Sequence, residues 1–202
     1  MIENLAAKTA CSLLKTGIIV DDDQDLYEYG FFLLYSKILF LIISIIMGLL
    51  LGDVLQSISI YILFSVIRSY AGGFHAKKES SCIFLTTVAL FCTNLFAVRI
   101  QTASRTVCII ILIVFGLVIG LLSPLDNEEK PLTPREAKNY HNISIGILFV
   151  YEIIGIVSSF AGKTNLTGIF SAVLVLESIL LSFGKLKNSC HGIVKTTDSK
   201  QW

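Results

Sequence analysis

Charge is scarce in this sequence. Only 15% of the 202 residues are Asp, Glu, Lys or Arg, 54% are hydrophobic, and the mean hydropathy is +0.76, a balance that excludes a soluble globular core. The chain reads as an integral membrane protein. With a formal net charge of +1 and no dominant basic block, nucleic-acid binding is excluded too, because it rests on clustered Lys and Arg facing phosphates. Metal-ligand spacing is also missing. Three His and five Cys (Cys11, Cys82, Cys92, Cys108, Cys190) show no C-x-x-C or H-x-x-x-H pattern, so neither a structural zinc, a redox centre nor any other cofactor is expected. The odd number of Cys argues against a disulfide framework. No apolar run with a small-residue cleavage site follows Met1, so no cleaved signal peptide is expected. Repeats, Pro/Ser-rich linkers and low-complexity tracts are absent as well, and residues 1–202 are read as one domain.

What is present is a set of long apolar runs. A helix needs about 20 predominantly apolar residues to cross the hydrocarbon, and six stretches approach that length. They run roughly from Phe31 to Leu51, Val54 to Ser69, Cys82 to Val98, Thr106 to Leu122, Ile143 to Phe160 and Leu166 to Phe183. The expected fold is therefore all-α, a bundle of about six transmembrane helices over residues 31–183 followed by a cytoplasmic tail at 184–202. The second run is the weakest, diluted by Gln56, Ser57, Ser59 and Ser65 and ended by Arg68, so it should be short, tilted or shielded by protein. Ahead of the spans, Ile2, Leu5, Ala6, Ala10, Leu13 and Gly17 recur at spacings of three and four, opposite Asn4, Lys8, Ser12 and Lys15. This pattern predicts an amphipathic helix in the membrane interface, with a cytosolic helix packed on the loops as the alternative. The acidic turn Asp21-Asp22-Asp23-Gln24-Asp25 closes this segment, residues 1–25.

Orientation follows from Lys and Arg, which collect in short cytoplasmic loops. Twelve of the sixteen fall on the side of the termini and of segments 70–81 and 123–142, three on the other side (Arg99, Arg105, Lys163), and Lys37 inside the first span. Both termini and those two segments are expected in the cytoplasm, in a multi-pass protein of the cell membrane. Lys37, Glu152 and Glu177 are ionisable residues within spans, which are costly and usually paired. Lys37 lies near the cytoplasmic end and can snorkel, and its pairing with Glu152 or Glu177 in the bundle interior favours a structural role, with substrate contact as the alternative.

The segment with chemical potential is Arg68-Ser69-Tyr70-Ala71-Gly72-Gly73-Phe74-His75-Ala76-Lys77-Lys78-Glu79-Ser80-Ser81-Cys82. An imidazole, with a pKa of about 6.5, can take the proton of a thiol near about 8.5 and leave a thiolate for acyl transfer. On a straight helix, however, residues seven apart are separated by about 10.5 Å of rise, beyond hydrogen-bond reach. If His75 and Cys82 act together the backbone must break between them, with His75 on a loop or short broken helix and Cys82 opening the third span. Gly72 and Gly73 suit such a break, since glycine tolerates positive φ and lets backbone N–H groups approach a carbonyl, as an oxyanion hole requires. A helix N-terminus at Cys82 would help to hold a thiolate. Equally, paired glycines before a histidine make a routine loop, and a cysteine opening a membrane helix serves as a small apolar residue. Spacing alone leaves both readings open. Cys11, Cys92 and Cys108 read as space-filling residues, Cys190 and His191 as bystanders in a polar tail, and His141 as a cap or snorkelling residue at the start of the fifth span.

At this segment the sequence resembles the accessory gene regulator B family, AgrB, membrane cysteine endopeptidases that process quorum-sensing peptide precursors. The family pattern of an Arg, Ala-Gly-Gly, an aromatic residue, His-Ala and a Cys seven residues after the His is met by Arg68, Ala71-Gly72-Gly73, Phe74, His75-Ala76 and Cys82. A second element is similar to Ser123-Pro124-Leu125-Asp126-Asn127-Glu128-Glu129-Lys130-Pro131-Leu132, with Glu128 and Glu129 more acidic than the family's habit. The resemblance implies that His75 and Cys82 are the catalytic pair, supported by Arg68 and the Gly72-Gly73 turn, on the cytoplasmic side. It implies an AgrD-like precursor as partner, cleaved to an acyl-Cys82 thioester that an internal Cys or Ser of the peptide then converts to a thiolactone or lactone. It further implies a homodimer by family habit, and an acidic precursor tail that Lys77, Lys78, Lys130, Arg135 and Lys138 could read. Each of those cations alone is explained as well by the positive-inside rule.

Two other functions compete. A non-catalytic peptide transporter or export chaperone would also use six spans and buried charge, but has no need of His75 and Cys82 together after a Gly-Gly break. A metal-binding membrane protein is one ligand short, since only His75, Cys82 and Glu79 cluster.

Overall fold

In the computed structural model the described residues are 2–73, 79–125 and 133–198, and among them the chain forms only helices. These are α1 (Ile2–Lys15), a 3-10 turn at Asp21–Asp23, α2 (Gln24–Leu51), α3 (Val54–Ala71), α4 (Glu79–Gln101), α5 (Arg105–Leu122), α6 (Pro134–Phe160) and α7 (Thr164–Asp198). Six of them, α2 to α7, are long and apolar enough to cross a membrane, and each contains one of the six runs read from the sequence. Large side chains such as Leu50, Leu121 and Phe149 point outward, which suits hydrocarbon and would be untenable over so wide a surface in water. The protein is a multi-pass helical membrane protein.

The chain divides into two compact units, Met1–Val54 and Leu55–Trp202. In the first, α1 turns back along α2 and buries the small stripe Ile2, Ala6 and Ala10, while Leu5, expected on the same face, is exposed. The Thr9 hydroxyl and the Tyr35 phenol hydrogen-bond at 2.9 Å. The amphipathic pattern therefore serves helix packing in α1, because alanines let two backbones approach where larger residues would hold them apart. At 28 residues α2 is about 42 Å long, so its polar first turns, with Asp25 and Glu28, extend beyond the run that begins at Phe31.

The second unit is built around α7, whose spanning part is 67% buried; α4, α5 and α6 all pack against it. Two of the polar residues that dilute α3, Gln56 and Ser57, are bonded by α4. The Ser57 hydroxyl donates to Asn94 Oδ1 at 2.8 Å and Gln101 Nε2 donates to Gln56 Oε1 at 2.7 Å. Gln56, Ser57 and Asn94 are all buried, so the weakest span is shielded by protein, and the seam satisfies groups that hydrocarbon would leave bare. The pair Gly116 and Gly120 on α5 lets α6 approach, with Glu152 and Leu148 lying over Gly116 and Ile145 beside Gly120. α6 starts with Pro134 at its first turn and a reciprocal capping box. The Glu136 N–H donates to Thr133 Oγ1 at 3.3 Å and the Thr133 N–H to Glu136 Oε2 at 3.0 Å. α7 runs on as helix to Asp198, through most of the expected tail.

Candidate functional site

The site is assembled where α3 ends and α4 begins. α3 stops because Gly72 and Gly73 take φ of +80° and +145°, which side chains with a Cβ rarely adopt. The Gly72 N–H donates to the Arg68 carbonyl at 3.1 Å, a left-handed glycine cap of the usual kind. Each glycine also makes room for something. A Cβ on Gly72 would lie 2.5 Å from the Leu125 carbonyl oxygen, and one on Gly73 would lie 3.0 Å from Arg68 Nη1. Beyond them residues 74–78 lie outside the described residues, among them His75, Lys77 and Lys78.

Cys82 is the fourth residue of α4 and half-buried, as a cysteine opening the third span should be. It lines a cavity of about 10 Å³ with Phe64, Arg68, Leu85, Thr86, Ala89 and Leu180, room for about one water. Arg68 thus reaches the thiol's surroundings from α3. Its guanidinium lies over the Phe64 ring, 5.4 Å from the centroid, a cation–π contact. Next to this cavity a larger apolar groove of about 860 Å³ runs between α4 and α7, sharing Leu85, Ala89 and Leu180 with it. The Cys82 face of α4 therefore continues as one wall of this apolar groove.

The second sequence element joins the first. The Leu125 N–H donates to the Ala71 carbonyl at 2.9 Å, so residues 123–125 dock on the glycine turn. From the other side α6 holds them. His141 Nδ1 lies 2.7 Å from the Ser123 carbonyl and the Ser123 hydroxyl donates to Ser144 Oγ at 2.9 Å. A carbonyl only accepts, so Nδ1 carries the hydrogen. His141 therefore does act as a cap, but of the end of α5, whose C-cap is Ser123. Tyr70 and Tyr140 meet edge to face at 6.1 Å and brace α3 on α6.

The structure brings together Arg68, Gly72, Gly73 and Cys82. Arg135 and Lys138 stand exposed near the start of α6, and Lys130 lies outside the described residues. Glu177, read from the sequence as an ionisable residue within the last span, is fully buried on α7. Among the described residues no three His, Cys, Asp or Glu side chains gather as a metal site would require.

The accessory gene regulator B family matches residues 5–181, nearly the whole bundle with both docked elements. The chain belongs to the AgrB family. An AgrB-like protein of Clostridium perfringens (strain SM101 / Type A) is 26% identical over 166 residues, covering 78% of this chain and 77% of that protein. AgrB-like protein 2 of Clostridium perfringens (strain 13 / Type A) is 24% identical with the same coverage. No solved structure matches the chain. AgrB membership gives it a role in the accessory gene regulator system, with a peptide precursor as partner in the membrane.

Proposed function

We propose that this AgrB-family protein is a membrane cysteine endopeptidase that removes the C-terminal tail of an AgrD-like precursor and closes the remaining peptide into a ring. The observation that carries the reading is the seat of Cys82, in the first turn of α4, lining one cavity with Arg68 beside the Gly72-Gly73 turn. His75, seven residues before it, takes the thiol proton. The thiolate adds to the scissile carbonyl, and the oxyanion is met by the Gly73 amide, since the Gly72 amide already donates to Arg68, and by the Arg68 charge. The C–N bond breaks, His75 returns the proton to the tail's amine, and the peptide remains as a thioester on Cys82. An internal Cys or Ser of the peptide then attacks that carbonyl, His75 taking its proton, and Cys82 leaves as the thiolate.

Exchange of one thioester for another is nearly balanced, so cyclisation competes with hydrolysis. The small cavity and the apolar groove beside it favour the ring by limiting water. The 12-to-3 distribution of Lys and Arg supports cytoplasmic termini and a cytoplasmic site, with Lys77, Lys78, Lys130, Arg135 and Lys138 available to an acidic tail. Homodimers would follow the family habit.

The test is co-expression with an AgrD-like precursor, read by mass spectrometry. Wild type should give a cyclic product and a hydroxylamine-sensitive peptide adduct; Cys82→Ala and His75→Ala should give neither, with the precursor intact. Unchanged tail removal by Cys82→Ala would end the peptidase reading.

A further inference from the structure

At the other end of the second unit from Cys82, four helix ends enclose a further cavity of about 150 Å³. It is lined by Gln101 at the end of α4, Arg105 and Cys108 at the start of α5, Ser159 at the end of α6, and Thr164 and Thr167 at the start of α7. Along α4, Gln101 stands about 28 Å beyond Cys82, so this cavity is separate from the thiol's. Because the spans themselves begin and end around it, it lies at the depth where hydrocarbon gives way to the polar headgroup layer.

None of the residues lining it is acidic, and what they offer is positive charge and hydrogen-bond donors. The Arg105 guanidinium lies over the Phe160 ring, 5.3 Å from the centroid, and has no carboxylate partner among the described residues. A ring face holds a cation in place without neutralising it. Ser159 is only 9% exposed, yet its hydroxyl has no hydrogen-bond partner among the described residues. A buried serine ordinarily bonds its own helix or a neighbour, so a serine that lines a cavity without doing either leaves its donor to whatever fills that cavity. The Thr167 hydroxyl and the Cys108 thiol are committed elsewhere, to the carbonyls of Lys163 at 3.3 Å and Ile100 at 3.6 Å. α7 adds the positive end of its dipole. Thr164 is its first residue, and the amides of Asn165 and Leu166 in the same turn have no acceptor within the helix.

We infer that this cavity binds a phosphate group, and that a membrane lipid carries it. The oxygens of a phosphate can take a charge-assisted bond from Arg105 and hydroxyl donations from Ser159 and Thr164 together, and the volume is roughly ten times what one water needs. The source follows from the surroundings. Phe160, under the guanidinium, and Val157, three residues deeper in α6, are both exposed, so apolar chains attached to the phosphate have apolar surface to lie along. A lipid held there ties the start of α5 to the start of α7 across the end of α6. The site owes nothing to the peptidase reading.

The experiment uses the full chain, purified in detergent and freed of lipid, and follows its melting temperature as dioleoylphosphatidylglycerol is titrated into the micelles. Wild type should gain several degrees and yield an apparent Kd. Dioleoylglycerol, which has the same chains and no phosphate, should give no shift, and inorganic phosphate should neither shift the melting nor displace the lipid. Arg105→Gln should weaken the apparent affinity by about tenfold and Ser159→Ala by about threefold, the difference between a charged and a neutral donor. Arg99→Gln removes an exposed cation in the last turn of α4 that does not line the cavity, and it should bind as wild type does. Each variant is first melted without lipid; Ser159→Ala, which removes a single oxygen, decides the matter if Arg105→Gln does not fold. Equal losses in Arg99→Gln and Arg105→Gln, wild-type affinity in Ser159→Ala, or stabilisation by dioleoylglycerol as strong as by the phospholipid would each overturn the site. Stabilisation by inorganic phosphate equal to that by the phospholipid would overturn the lipid as its source.

Discussion

Gly72 is the residue on which the two loops of the site depend, because its missing side chain is where the Leu125 carbonyl rests. In Gly72→Ala the φ of +80° is strained by about 1–2 kcal/mol, and the new methyl group collides with a backbone oxygen that cannot rotate away. The 123–125 segment must then leave Ala71, so both thermal stability and precursor processing should fall, processing by roughly tenfold or more. Gly73→Ala is strained too, at φ +145°, but its methyl group meets only the end of the Arg68 side chain, so it should cost less stability than Gly72→Ala while still lowering processing. Thermal scanning in detergent beside mass spectrometry of the products separates the two; a Gly72→Ala chain that processes its precursor at the wild-type rate would mean that docking of the second loop is dispensable. At this scale the break after α3 and the placement of Cys82 at the start of α4 were both legible in the sequence, since a Gly-Gly pair followed by an apolar run admits little else. The docking of residues 123–125 on the glycine turn was not, because it joins two segments far apart in the chain.

Helix existence was the most legible feature of the chain, for a reason specific to membranes. The hydrocarbon fixes the length of each span, and backbone polar groups inside it must be satisfied within the helix. Helix ends were less so. α2 and α6 begin well before their apolar runs, at Gln24 and Pro134, where hydropathy is silent and the signal is local chemistry, the Thr133-Pro134-Arg135-Glu136 capping box. The polar content of α3 reads as weakness in isolation and becomes a fastening once α4 supplies Asn94 and Gln101. Replacing Asn94 by Leu removes the acceptor of the Ser57 hydroxyl from the middle of that seam. Hydrogen bonds between membrane helices are individually modest, and Asn94→Leu should lower stability by about 1 kcal/mol in mixed-micelle unfolding. A variant as stable as wild type would show that the seam selects a partner helix without strengthening the fold.

For the whole molecule, the distribution of cations has two consequences that a single experiment can separate. As topology signals, Lys77 and Lys78 set the side on which the α3–α4 connection stays, and that effect is indifferent to the substrate. As a recognition surface they would attract an acidic tail toward Cys82, together with the exposed Arg135 and Lys138 near the start of α6, and that effect depends on the charge of the substrate and on salt. Neutralising both lysines, as Lys77→Gln with Lys78→Gln, removes two of the twelve cations assigned to the cytoplasmic side. Ten remain there against three on the opposite side, so the orientation should hold. Processing of a precursor with an acidic tail should then fall several-fold more than that of one whose tail is neutral, and added salt should shrink the difference by screening the attraction. Equal losses for the two precursors would sink the recognition role and leave these lysines as markers of orientation alone.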